Sequence, residues 1–333
     1  MGKASRYMPA VGTFGHKWYP EDIVGYPEMT IGNFWFVNSN KVDGNGKSWE
    51  KPFADLQTAL DSVSSGDVIY MAPGTYTGNY TCPDDTEARN VSVIGVNPGQ
   101  PGIRGGVNLS PTSSASPIIT CKASGWRFSK LCLRPGATSS GIKLYADIST
   151  TDYIAGVAGG IAQGVTVDNC MFWGGGTGKY GIESLGVEGT NSPHFVNIIN
   201  NDFMYLNATG AAAIYGADGS NPNIGWRVIG NKFESNRSHI NCHAKDGWVG
   251  SRFEDNTFPY NGVYAFALDG LVKVRATATP DITGGNVFAN NFFGCNLTDY
   301  SASNDMIQTN GYDHGMGNWC DDGIPVADIN HYT

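Results

Sequence analysis

Apolar and polar positions alternate along much of the chain, and the alternation returns at a repeated spacing. VTVDNCMF (165–172), VNIINNDF (196–203), WRVIGNKF (226–233), SRFEDNTF (251–258) and GNVFANNF (285–292) each pass from an alternating stretch through a polar bend to a Phe. Phe172, Phe203, Phe233, Phe258 and Phe292 lie 31, 30, 25 and 34 residues apart, and four of them follow Asn201, Asn231, Asn256 and Asn290 by two places. Five places before each Phe stand Val167, Ile198, Val228, Phe253 and Val287; seven before stand Val165, Val196, Trp226, Ser251 and Gly285. Strand side chains alternate between faces, so these positions and the Phe are predicted to point inward. The intervening Thr166, Asn197, Arg227, Arg252 and Asn286 are predicted to point outward. A period of this length predicts a stacked solenoid, with Asn side chains hydrogen-bonding at the bends and tolerating the left-handed conformation there.

Ahead of the repeats, Phe34-Trp35-Phe36-Val37 predicts a strand, and apolar spacing over residues 54–63 predicts a short amphipathic helix. Residues 67–71 and 91–96 read as strands, and CKASGWRF (121–128) fits the repeat loosely through Cys121, Ala123, Trp126 and Phe128. A helix before the first coil would cover the exposed end of a strand-built solenoid. Residues 1–33 carry Pro9, Pro20 and Pro27 with Tyr7, Phe14, Trp18, Tyr19, Tyr26 and Met29, and read as an extended arm expected to dock on a partner. The solenoid is expected over 34–296. Residues 297–333 lose the template and are expected to form a C-terminal cap or assembly segment.

Gly is 45 of 333 residues and follows no three-residue period, which excludes collagen. Hydrophobic residues at 41% support a core, while charged residues at 15% leave a largely neutral polar surface suited to protein or glycan contact. The net charge of −9, without a Lys/Arg cluster, argues against nucleic acid as a partner. No apolar run is long enough for a spanning helix, and the first residues show no secretory h-region, so no membrane partner is expected. Seven Cys, an odd number without a CxxC pair, predict neither a zinc site nor a disulfide framework; Cys170 is expected as a buried thiol in the Asn slot. Six N-x-S/T sequons occur, as chance provides in an Asn-rich chain.

Residues 34–77 resemble the N-terminal capping region of right-handed parallel β-helix proteins. The matching residues are Ser48-Trp49, Pro52-Phe53, Leu56-Gln57-Thr58-Ala59-Leu60, Gly66-Asp67-Val68-Ile69 and Pro73-Gly74-Thr75-Tyr76, and repeats of the form V-x-I-x-x-N-x-F follow at 196–203 and 226–233. The resemblance implies an all-β, single-stranded right-handed parallel β-helix. Its family holds polysaccharide lyases, glycoside hydrolases, adhesins, and head and tail proteins of tailed phages, so the fold alone assigns no activity. The arm joined to GNFWFVNS also resembles virion proteins of tailed bacteriophages, which need no secretory signal.

A lyase site of the calcium type would need carboxylates on neighbouring coils with Arg or Lys as base. Asp202, Glu254, Asp255, Arg227 and Arg252 are the outward candidates, but only Asp202 occupies its slot with a carboxylate, so no acidic ladder is expected. A glycoside hydrolase would need a carboxylate pair. Asp313, His314, Asp321 and Asp322 form the one dense acidic cluster with His, in a Gly-rich segment that reads as a surface turn. His239 and His243 stand four apart, a metal spacing only on a helix, and here the segment reads as loop and strand. No catalytic, metal or cofactor residues are therefore expected. The expectation is a non-enzymatic virion protein: a capsid decoration (cement) protein, a homotrimer bound to the major capsid protein, with a surface glycan as a further partner. The alternative is a carbohydrate-active β-helix enzyme, a tailspike depolymerase or polysaccharide lyase, or a tail fibre or adhesin.

Overall fold

The computed structural model describes residues 32–96, 106–147, 159–186, 192–217, 223–242, 248–259, 272–273, 285–294, 307–309, 314–320 and 330–331. Their strands form one sheet of ten, two of nine and a small one of two, paired throughout in parallel. One coil shows the plan. Thr166–Asp168 lies in the first sheet, Met171–Trp173 in the second and Tyr180–Leu185 in the third. The next coil lays Asn197–Ile199, Asp202–Met204 and Ala212–Gly216 beside them in register. The chain winds around three sheets and advances by one strand spacing, about 4.8 Å, per turn.

The bend between first and second sheets sets this geometry. Its first residue is left-handed in every regular coil: Lys130, Asn169, Asn200, Gly230, Asp255, Asn290 and Gly317 have φ between 53° and 68°. Its second residue is Leu131 and then Cys170 in the first two of these coils, and Asn201, Asn231, Asn256, Asn291 and Asn318 in the rest, buried in each case. Each amide donates across one coil to a main-chain carbonyl and, up to Asn291, onward to the next Asn Oδ1 at 3.0–3.1 Å. Each Oδ1 accepts the bend N–H of the preceding coil, from Cys170 N at 2.9 Å to Asn291 N at 3.0 Å. The buried ladder thus satisfies amides that would otherwise be orphaned. Its Asn residues are not the left-handed ones; that conformation falls on the residue before.

Inside, the Phe column is continuous. Phe172, Phe203, Phe233, Phe258 and Phe293 stack at centroid distances of 4.7, 5.0, 4.9 and 4.9 Å, matching the rise per coil. The last coil departs from its expected register by one residue: Phe292 is 39% exposed and Phe293 is fully buried. Phe288, not Val287, stacks on Phe253 at 4.9 Å, and Asn286 is buried. The doublets Asn290-Asn291 and Phe292-Phe293 permit either reading. The ladder decides between them, because only Asn291 places an amide between Asn256 and Asn318. Gly285, left-handed at φ 68°, then matches Gly250 at φ 59°.

The N-terminal end is closed by the helix Leu56–Leu60, shorter than the expected 54–63. Asp55 caps it, accepting from the N–H groups of Gln57 and Thr58, and Leu56, Ala59 and Leu60 bury themselves on the first coil. The arm expected over residues 1–33 lies, up to residue 31, outside the described residues. In the C-terminal segment, His314–Met316 and Trp319–Cys320 continue the first and second sheets, and Asn330–His331 pairs in the third.

Candidate functional site

The outward residues singled out by sequence do not converge. Asp202 lies on the second sheet between Met171 and Lys232. Desolvation raises its pKa, an effect that Lys232 opposes and Glu234 reinforces. Glu254 lies on the first sheet, where it accepts from Arg252 Nε at 3.0 Å and Nη2 at 2.7 Å. Arg227 is exposed one coil before Arg252, and Asp255 is an exposed bend residue. His239 is a core residue lying beside the stacked rings of Phe233 and Phe258, its Nδ1 3.4 Å from Asn236 Nδ2. Burial depresses its pKa to about 3, so it is neutral. His314 is exposed on the first sheet, whereas His243, Asp313, Asp321 and Asp322 lie outside the described residues. Among the described residues no group of three His, Cys, Asp or Glu is placed to hold a metal ion, and no helix is long and apolar enough to cross a membrane.

A different face gathers chemistry. The strands Ser140–Tyr145, Tyr180–Leu185 and Ala212–Gly216 of the third sheet share a pattern: a small residue, Ile, then a polar or aromatic residue. The small residue turns inward against the Phe column. A Cβ on Gly141 would meet Phe172 Cδ1 at 2.9 Å, and one on Gly181 would meet Phe203 Cδ1 at 2.7 Å. Ile142, Ile182 and Ile214 are buried. The next residue faces out, and register stacks Thr120, Lys143, Glu183, Tyr215 and Asn241 over five successive coils. At one strand spacing per coil that column is about 19 Å long.

Side chains fill the space around it. Glu183 Oε2 accepts from Ser140 Oγ at 2.9 Å. Tyr180 lies flat against Tyr215, with centroids 4.1 Å apart and planes 5° from parallel. Lys179 Nζ stands 5.1 Å from the Tyr180 ring, and Lys143 Nζ 5.2 Å from the Tyr145 ring. The Tyr180 phenol is pushed well above its ordinary pKa, first by burial and then by Tyr215 and Glu183, so it keeps its proton. Asn241 is 6% exposed, and its Oδ1 has no hydrogen-bond partner. The face therefore offers cations, a carboxylate and a stacked phenol pair along the solenoid axis, with the Asn241 amide buried at the end of the column. None of these side chains was singled out from the sequence, which treated the residues between the Phe-bearing segments as loops.

No protein-family model matches the chain, and no curated protein matches it. Solved structures of similar shape include an alginate lyase from Paenibacillus sp. str. FPU-7, with TM-score 0.60 and 14% identity over 87% of this chain and 95% of that one. The ORF18 protein of Geobacillus virus E2 has TM-score 0.54 and 16% identity, over 86% of this chain and 52% of that one. Pectate lyase Pel9A has TM-score 0.51 and 17% identity, over 88% of this chain and 76% of that one. The chain is a right-handed parallel β-helix. Two of these three β-helices are polysaccharide lyases. That finding overturns the expectation of a non-enzymatic protein. The expectation rests on the lack of a catalytic constellation among the outward residues of the Phe-bearing segments, which leaves out the side chains of the third sheet. The likeness to ORF18 leaves a virus link, without placing this chain in a capsid or a trimer.

Proposed function

We propose that this β-helix is a polysaccharide-cleaving enzyme that works by β-elimination on an acidic, uronate-containing chain lying along the third sheet. The observation that carries the reading is the Lys143–Glu183–Tyr215 column with the protonated Tyr180 stacked against it. The likeness to the alginate and pectate lyases supports it. Elimination needs three things: a counter-charge on the uronate carboxylate to acidify the adjacent C–H, a base for that proton, and an acid for the departing glycosidic oxygen. Lys143 and Lys179 supply the counter-charge. Tyr215, stacked on the protonated Tyr180, takes the C–H proton and passes it to the departing glycosidic oxygen, serving as base and then as acid. Glu183 accepts sugar hydroxyl hydrogens.

Product chemistry tests this. Incubation with alginate, pectate and bacterial capsular polysaccharides is expected to release fragments with a conjugated C=C bond, read by ultraviolet absorbance and mass. Reducing ends without that double bond would replace elimination by hydrolysis; no cleavage of any uronate polymer would remove the assignment. The ORF18 likeness favours a second reading of the setting, in which the enzyme is a depolymerase carried on a phage particle and residues 1–31 attach it to a virion partner or to its own copies.

A further inference from the structure

At the N-terminal end of the third sheet, on its inner side, two thiols face each other across adjacent coils. Tyr80–Thr81 pairs with Ile119–Cys121, Tyr80 opposite Ile119 and Thr81 opposite Thr120, which puts Cys82 opposite Cys121. Cys82 N–H donates to Thr120 O at 2.9 Å, so the ladder continues through this pair. Both side chains are buried. The Cys121 thiol lies 3.6 Å from Ala123 O, and Cys121 adds to burial in raising the Cys82 pKa. In-register neighbours on parallel strands sit about 4.8 Å apart at Cα, inside the ~4.4–6.8 Å span that a disulfide bridges. Access exists on one side: Cys82 lines a cavity of about 490 Å³ between the capping helix and the third sheet, with Gln57, Asp61 and Lys122.

We propose that Cys82 and Cys121 are a redox pair that closes into an intrachain disulfide and staples the capping coil to the next. Cys82 attacks a small-molecule disulfide that enters through the cavity. An S–S bond forms at Cys82 and one thiol leaves with a proton. Cys121 then attacks Cys82 sulfur, forming the internal disulfide and expelling the second thiol. Two protein thiols are oxidised, and one small-molecule disulfide is reduced to two thiols. Burial raises the Cys82 pKa, so little thiolate is present and the reaction is slow on the native protein. The bond closes a loop of 39 residues (121 − 82), long enough to restrict the unfolded chain substantially.

Full-length protein held in oxidised glutathione for hours to days, then denatured and labelled with maleimide, tests this. All seven Cys label before treatment and five after, and peptide mapping joins residue 82 to residue 121. The oxidised protein melts at least ~4 °C higher, and dithiothreitol reverses the shift. Cys82→Ser and Cys121→Ser each keep six labelled thiols and show no shift; Cys132→Ser still loses two labels. Seven labels after oxidation, glutathione retained on Cys82, or a link to any other Cys would overturn the proposal. If the Ser variants do not fold, Cys82→Val and the mapped wild type still decide it.

Discussion

At the scale of single residues, burial decides what each ionisable group does. His239 and Tyr180 show it from opposite sides: desolvation removes the charge from one and keeps the proton on the other. For His239 the folded pKa, about 3, lies below the ordinary value of 6.5. The unfolded chain therefore binds a proton that the folded chain refuses, and stability is lost as pH falls from about 6.5 towards 3. Unfolding measured across that range is expected to show a slope of up to one proton from this residue. His239→Phe should flatten the slope, whereas an unchanged slope would place the acid sensitivity elsewhere. The sequence flagged His239 for its spacing from His243, but spacing carries no information on burial beside the Phe column.

At the scale of the element, the repeat was legible because its parts are physically obligatory. An inward Phe, an Asn amide at the bend and a left-handed residue before it leave a mark at fixed spacing, and the fold class followed from them. The last coil shows the limit: paired Asn and paired Phe let the alternation be read one residue early. Phe293→Ala is expected to cost about 3–5 kcal/mol by opening a gap in the ring column. Phe292→Ala is expected to change stability by no more than about 0.5 kcal/mol, as an exposed position. Chemical denaturation of the two variants compares them directly, and equal losses would contradict the ladder register. The third-sheet strands were not legible for a different reason. The connection from the Phe to the buried Ile is 10 residues to Ile182, 11 to Ile214 and 7 to Ile240, so no fixed period exposes it. The signal was the local triplet of small residue, Ile and functional residue at Gly141-Ile142-Lys143, Gly181-Ile182-Glu183 and Ala213-Ile214-Tyr215.

At the scale of the whole molecule, the solenoid converts a sequence separation of 22–40 residues into one strand spacing. Residues far apart in the chain, such as Lys143, Glu183 and Tyr215, become neighbours in a straight row, suited to a linear polymer. The three outer faces are not equivalent. The first carries Arg252 paired with Glu254, and the second carries Lys232 paired with Glu234. Among the described residues, the third combines cations with a stacked phenol pair and a buried amide oxygen, that of Asn241, without a partner. The most direct test is turnover of a uronate polymer by the wild-type protein, Tyr215→Phe and the double variant Asp202→Asn/Glu254→Gln, each first shown to be folded. Loss of the proton-transferring hydroxyl in Tyr215→Phe is expected to lower kcat by about 10²-fold or more. The double variant, altered only on the other two faces, is expected to keep wild-type kcat and KM. Wild-type activity in Tyr215→Phe, with loss in the double variant, would contradict the account and move the site off the third sheet.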